Sequence, residues 1–205
     1  MQTYGPTVLV DAAGQPLKAS DVQADEAMVF AYPYQGVPCY LINLGQHAAQ
    51  QVSLTAPDGS AYQSPQGVGP NQSLVAFVAI CTHQLTYPTP RISLLRYASS
   101  SSEIAQQAKR IVCCAHGSVF DPVQGARQVA GPAPNALLPV MLSHDTDTDQ
   151  LTATGTVDED FFQRFFKAYK GDLIERFGPG GYRQPVSEQT RAVPLSRFSA
   201  QVPAC

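Results

Sequence analysis

Cys81-Thr82-His83 and Cys113-Cys114-Ala115-His116-Gly117-Ser118-Val119-Phe120-Asp121, separated by the 29 residues from Gln84 to Val112, hold the most specific chemistry in this chain. Each box offers one thiolate and one imidazole, in the order C-x-H and then C-x-x-H. Such a set serves two kinds of metal centre. Two sulfide-bridged irons need four terminal ligands; when one iron takes both cysteines and the other both histidines, the reduction potential rises far above that of an all-cysteine centre. A single tetrahedral zinc can also take two cysteines and two histidines, although structural zinc sites usually group like with like, whereas each box here mixes them. A chance scatter of four such residues would leave unexplained both the Gly117-Ser-x-Phe-Asp121 continuation and the run Gly131-Pro132-Ala133-Pro134.

Taken together, the two boxes, the continuation and the proline run resemble the high-potential Rieske iron–sulfur proteins of the cytochrome bc complexes and of the arsenite oxidase small subunit. The resemblance implies a Rieske-type [2Fe-2S] cluster as cofactor, with Cys81 and Cys113 on the buried iron and His83 and His116 on the outer, reducible one. The remaining ring nitrogens are then expected to face solvent. Because the outer imidazoles become more basic when the iron gains an electron, electron and proton uptake are linked. Ser118 stands where such relatives place a serine hydroxyl on a bridging sulfide. Phe120 stands where many place a tyrosine whose hydroxyl bonds a cysteine sulfur, and Gly117 lies between ligand and serine. Gln84 and Leu85 replace the usual Leu-Gly of the first cluster loop, making its tip more polar and bulkier; Gly131, Pro132 and Pro134 supply a third loop. The disulfide that usually ties the two cluster loops would need cysteines at Thr86 and Ala115, so packing, proline stiffness and the cluster itself must hold them here.

A chain of 205 residues suits one domain with excursions and can bury a real core. Its charged fraction, 14%, is low against a usual value of about 25%. With 17 Pro, 15 Gly and no Trp, it reads as many short strands joined by turns. A net charge of −3 gives no reason to expect nucleic acid as a partner. No run approaches the roughly 18 apolar residues of a membrane span. The opening Met1-Gln-Thr-Tyr-Gly-Pro does not read as a signal peptide. Many relatives begin with an anchor or export signal, and the expectation is that this sequence starts after one, on the periplasmic side. Two of the five cysteines go to the cluster, and the pairing of Cys39, Cys114 and Cys205 is left open. A Cys39–Cys205 bond would need the tail to return to the first sheet.

Along the chain, strands are expected at Thr7–Val10, Met28–Ala31 and Tyr40–Leu44, then loops with one short strand from Gln46 to Gln72. Leu74–Ile80 is seven apolar residues in a row, read as a strand buried on both faces that delivers Cys81 at its end. Beyond the first box, Tyr87-Pro-Thr-Pro90 is an irregular turn, and Glu103–Lys109, behind the serines at 99–102, reads as a short capped helix. Arg110–Cys113, Arg127–Ala130, Leu138–Leu142 and Leu151–Thr154 are further strands. The loop His144-Asp-Thr-Asp-Thr-Asp149 lacks the Gly and Glu of a calcium loop and reads as a solvated turn. From Asp158, a helix cap, the stripe Phe161, Phe162, Phe165, Phe166, Tyr169, Leu173, Ile174 and Phe177 predicts one amphipathic helix ended by Gly178-Pro179. The stripe reads as core packing, with docking to a partner or membrane surface as the alternative. The tail from Pro179 is expected to wrap the domain or a neighbour.

The fold class implied is mainly β: a Rieske-type antiparallel β-sandwich over residues 1–157, with a cluster-binding subdomain inserted at about 79–131. Residues 158–205 then form the C-terminal amphipathic helix and extended tail. The function implied is one-electron transfer as the iron–sulfur subunit of a bc-type quinol:cytochrome c oxidoreductase, taking electrons from quinol at a cytochrome b and passing them to a c-type cytochrome. The alternative is the small Rieske subunit of an arsenite-oxidase-type enzyme with a molybdopterin subunit as donor, to which Val37-Pro-Cys-Tyr40 and Gly67-Val-Gly-Pro-Asn71 are similar. In both, the chain is an electron-transfer subunit rather than a self-sufficient enzyme, and it meets a membrane only through an anchor or partner subunits. A structural zinc domain is the reading from another class.

Overall fold

Leu74–Ile80 behaves as its period demands. In a strand, alternate side chains face opposite sides. Leu74, Ala76, Val78 and Ile80 enter one buried cluster, and Val75, Phe77, Ala79 and Cys81 enter another. The computed structural model, which describes residues 2–205, therefore has two main cores divided by one sheet, with a small third cluster of Ala98, Ala105, Val112 and Val119.

The chain forms β1 (Gln2–Val10), β2 (Met28–Ala31), β3 (Pro38–Asn43), β4 (Ser53–Thr55), β5 (Ala61–Gln63) and β6 (Leu74–Val78) before the first box. Between and after the boxes come β7 (Leu95–Ala98), β8 (Arg110–Cys113), β9 (Ser118–Asp121) and β10 (Arg127–Ala130). The hairpin β11 (Pro139–Asp145) and β12 (Gln150–Thr156) leads into helices α1 (Glu159–Ala168) and α2 (Lys170–Phe177). The tail adds β13 (Gln189–Arg191), β14 (Val193–Pro194) and a turn of helix, α3 (Leu195–Phe198).

Eight strands make the large sheet, in the order β13-β1-β12-β11-β6-β3-β2-β14; β10-β9-β8-β7 make a second sheet, and β4-β5 a separate hairpin. All pairs are antiparallel except β1 with β13. The large sheet curls into a near-barrel. Its end strand β13 meets β2 through Thr190, whose hydroxyl donates to the Ala31 carbonyl at 2.9 Å and accepts from the Ala31 N–H at 3.2 Å. One threonine thus supplies the ladder bonds that an open edge would leave unmade. The architecture is the mainly β fold expected, with the smaller sheet lying against the face of β3 and β6 that carries Tyr40, Ile42 and Phe77.

The aromatic stripe is core. Phe161, Phe162, Phe165 and Phe166 are all buried among Leu41, Ala76 and Val78, each contributing about 1.5–3 kcal/mol by leaving water. Tyr169, Ile174 and Phe177, the later members of the stripe, are half-buried against the same core. Asp158 caps α1 by accepting the Phe161 N–H at 3.0 Å, and Glu159 and Asp160 lie at the positive end of its dipole.

Several expectations need correction. The single C-terminal helix is two, because Tyr169 leaves helical geometry (φ −110°, ψ 26°) and its ring packs on Tyr87 and Phe165 at 4.7 and 5.5 Å. Glu103–Lys109 is a turn. Ser102 does cap it, accepting the Ala105 N–H at 3.1 Å, but Gln106 and Lys109 adopt left-handed φ of 55° and 59° and stop any helix. The segment 46–72 holds two strands rather than one. The tail after Pro179 runs back along the domain, with β13 and β14 joining the large sheet.

The cysteines resolve as well. Cys114 and Cys205 form a disulfide across a sequence separation of 91, a closure that contributes about 4–5 kcal/mol in the chain-entropy picture. Cys39 is a free, buried thiol donating to the Tyr32 carbonyl at 3.1 Å.

Candidate metal centre

The alternation of β6 carries through Ala79 to Cys81, so Cys81 points into the core shared by the two sheets, where Cys113 and Phe120 also lie. The first box then turns back. The Cys81 N–H donates to the Thr86 carbonyl at 2.8 Å and the Leu85 N–H to the Cys81 carbonyl at 2.9 Å. Leu85 adopts a left-handed φ of 59°, the region that suits glycine. That costs a branched residue roughly 1–2 kcal/mol, and packing of its side chain on the main core offsets it. The second box is the tip of the β8–β9 hairpin, with Cys113 opposite Ser118 and Gly117 at φ 74° returning its N–H to the Cys113 carbonyl at 2.9 Å.

Cys81 and Cys113 are fully buried and hydrogen-bonded to each other. That bond, together with burial, raises the Cys81 thiol, while the same bond lowers that of Cys113. Backbone N–H groups converge on both sulfurs: those of His83 and Gln84 on Cys81, those of Ala115 and His116 on Cys113. The Thr86 hydroxyl also reaches the Cys113 sulfur. Such donors favour thiolate.

The two imidazoles meet edge to face with centroids 4.9 Å apart. His116 is exposed and His83 half-buried. His83 Nδ1 is buried with no hydrogen-bond partner, the kind of orphan that a metal bond explains. Among the described residues, no three His, Cys, Asp or Glu side chains close on a point that would hold one ion. A single zinc needs such a group; a two-metal centre needs only the pair of sulfurs and the pair of nitrogens found here. The donor set fits a [2Fe-2S] cluster held by two cysteines and two histidines.

A third loop closes over both boxes. Thr82 donates its hydroxyl to the Asn135 carbonyl at 2.7 Å, and the Ala133 N–H donates to Ser118 Oγ at 3.1 Å. With that bond accepted, the buried Ser118 hydroxyl still has its own proton free to donate. Gly131 (φ 83°) lies so close that a Cβ there would fall 2.3 Å from the Gly117 carbonyl oxygen. Pro132 and Pro134 are exposed beside it. Phe120 is fully buried in the inter-sheet core and brings no hydroxyl. Asp121 holds the hairpin base, pairing with Arg110 at 3.3 Å and capping the turn that follows.

The structure thus brings Cys81, His83, Cys113, His116, Gly117, Ser118, Gly131 and Ala133 together. Gln84 lies exposed at the tip, and Leu85 turns inward. Sequence reading missed the Thr86 hydroxyl, the Thr82–Asn135 link and the Cys114–Cys205 bond. The first two are short polar side chains whose partners only the fold supplies. The tip segments 82–86, 115–117 and 131–135 contain no Asp, Glu, Lys or Arg.

Comparison with known proteins agrees with this geometry. The model of the Rieske [2Fe-2S] domain matches residues 46–152, just over half of the chain. The crystal structure of the soluble domain of the Rieske protein II (SoxF) from Sulfolobus acidocaldarius is similar with a TM-score of 0.52 and 28% sequence identity, covering 71% of this chain and 80% of that one.

Proposed function

This chain belongs to the Rieske [2Fe-2S] domain family, and from that premise we propose that it is the iron–sulfur subunit of a bc-type quinol:cytochrome c oxidoreductase, passing electrons singly to a c-type cytochrome. Bound to its four ligands, the cluster supplies reversible one-electron chemistry. The chain's own residues do the rest. Cys81 and Cys113 keep one side of the centre dry and surrounded by N–H donors, while His83 and His116 bring the other side to the surface. His83 directs Nδ1 inward, which leaves Nε2 as its outward nitrogen, placed to share a proton with a donor molecule. The carrying observation is this polarity: sulfur inside, imidazole outside, at a tip without charges. Such a tip engages a neutral headgroup or a partner's apolar collar through shape and hydrogen bonds rather than long-range steering.

A second reading, the small subunit of an arsenite-oxidase-type enzyme fed by a molybdopterin subunit, is favoured by one feature. Gln84 is exposed where a small, apolar tip would suit a quinol pocket, and its carbonyl is already engaged by the Tyr169 hydroxyl at 3.4 Å. Residence on the periplasmic side is supported by the Cys114–Cys205 disulfide, a bond that persists in oxidising compartments. Among the described residues, no helix is long and apolar enough to cross a membrane, so membrane contact is assigned to partner subunits or an anchor. Gentle isolation from native cells with identification of the co-purifying subunits tests the proposal. A cytochrome b partner and quinol-dependent reduction are expected; a molybdopterin subunit without quinol turnover overturns it in favour of the second reading.

A further inference from the structure

The two cluster boxes have no covalent tie to each other, yet each is fastened to the C-terminal segment. The second box is held through Cys114, the residue after a cluster cysteine, by its disulfide to Cys205. The tail leading to that bond runs along the segment between the boxes. Ser199 Oγ donates to the Thr89 carbonyl at 2.7 Å, the Ala200 N–H to Pro90 at 2.8 Å, and the Ser93 N–H to Gln201 at 2.9 Å. Arg96 then reaches the Pro203 carbonyl at 3.4 Å. Phe198 and Val202 pack on the core that holds Cys81 and Cys113.

The first box is held from the other side. Tyr169, at the break between α1 and α2, donates to the carbonyl of Gln84, the neighbour of His83. Its ring and that of Phe165 meet Tyr87 edge to face, one residue past the loop that closes on Cys81, with centroids 4.7 and 4.9 Å away. Leu85 is packed against the same aromatic core. Tyr169 keeps the stripe's own spacing, four residues past Phe165 and four before Leu173, so the same face that packs the core also reaches the first box.

We propose that residues 158–205 form a two-jawed clamp on the cluster loops, with Tyr169 positioning the His83 loop and the Cys114–Cys205 bond positioning the His116 loop. The clamp rests on the cluster reading above, but its effect on the loops exists whether or not a cluster is bound. Neither Tyr169 nor Cys205 touches the centre; both act through backbone that carries a ligand. A disulfide between the last residue and the second box also makes the site sensitive to thiol reductants, because both sulfurs are only half-buried.

The test uses the full chain as isolated and compares wild type with Cys205→Ser, Tyr169→Ala and Tyr169→Phe. Amide hydrogen exchange reads the loops directly. Cys205→Ser is expected to speed exchange at 113–117 and 89–96 at least tenfold, and Tyr169→Ala to do so at 81–87, with β3, β6 and β12 unchanged. Tyr169→Phe, which keeps the ring and loses only the bond to Gln84, should fall between wild type and Tyr169→Ala. In loaded protein, bleaching of the visible bands by a chelator should be several-fold faster in both jaw variants, and their EPR lines broader. If Cys205→Ser does not fold, reducing the wild-type disulfide with a phosphine replaces it. Unchanged loop exchange and unchanged bleaching overturn the clamp. A wild type without iron would instead overturn the electron-transfer reading and leave the exchange comparison standing.

Discussion

The two halves of the metal centre are built by different physics. The second box is a local object: β8 and β9 pair in register, Gly117 makes the turn, and the ligands Cys113 and His116 lie within it. The first box is a tertiary object. Cys81 is placed by the alternation of a central strand, but the loop beyond it depends on Leu85 held at a left-handed φ by its packing and on Tyr169 from far down the chain. The hairpin takes its register from its own pairing and is fastened from outside through Cys114 and Cys205, whereas the first loop takes its very shape from what lies beneath it.

Removing a sulfur should erase the contrast altogether. Cys81→Ala or Cys113→Ala is expected to bring iron and acid-labile sulfide to background and abolish the visible spectrum, since each supplies a terminal ligand without a substitute. Gly131→Ala tests the loop that closes over both boxes. A Cβ set 2.3 Å from the Gly117 oxygen, at φ 83°, must push the two loops apart. A loss of about 2–4 kcal/mol in thermal or denaturant unfolding is expected.

Leu85→Gly sharpens the difference between the boxes. It relieves roughly 1–2 kcal/mol of backbone strain and forfeits the burial of a half-buried leucine, about 1–2 kcal/mol. Global stability should therefore change by no more than about 1–2 kcal/mol, while exchange rises in the first loop and not the second. Ser118→Ala and Phe120→Tyr act on the electronics instead. A hydrogen bond to the cluster worth about 1–1.5 kcal/mol corresponds to about 40–65 mV for one electron. Voltammetry should show a lower midpoint for Ser118→Ala and a higher one for Phe120→Tyr; no change in either removes the tuning argument.

Much of this was legible in the sequence because it is periodic or local. Leu74–Ile80 announced a strand buried on both faces, and the same alternation carries Cys81 toward Cys113. The Asp158 cap and the Phe stripe announced α1. What was illegible depended on distance. Near Tyr169 only Gly171 hints at a break in the helix, and the Tyr87 ring on which Tyr169 packs lies more than 80 residues earlier. Glu103–Lys109 has helix-forming composition, yet Lys109 turns left-handed and its ammonium reaches the Leu44 carbonyl at 3.3 Å, and Arg110 is drawn to Asp121. β7 and β9 were missed because Arg96 interrupts one apolar run and the other was read as motif rather than strand.

The smallest effect lies in the β11–β12 turn, outside the cluster loops. Asp149 accepts bonds from the Ser20 hydroxyl, His144 and the Ser20 N–H, which together lower its carboxyl to about 2. With the folded value below the unfolded one of about 4, its contribution is full above pH 4 and is lost as the pH falls toward 2. Asp149→Asn should flatten acid unfolding slightly in that window and leave the metal centre untouched.

Low-temperature EPR of the reduced protein, with nitrogen couplings resolved by pulsed methods, reaches the asymmetric grip on the metal most directly. A rhombic signal coupled to two histidine nitrogens is expected, reduced to loss of the cluster when Cys113 is replaced. An EPR-silent, colourless protein carrying stoichiometric zinc would contradict it.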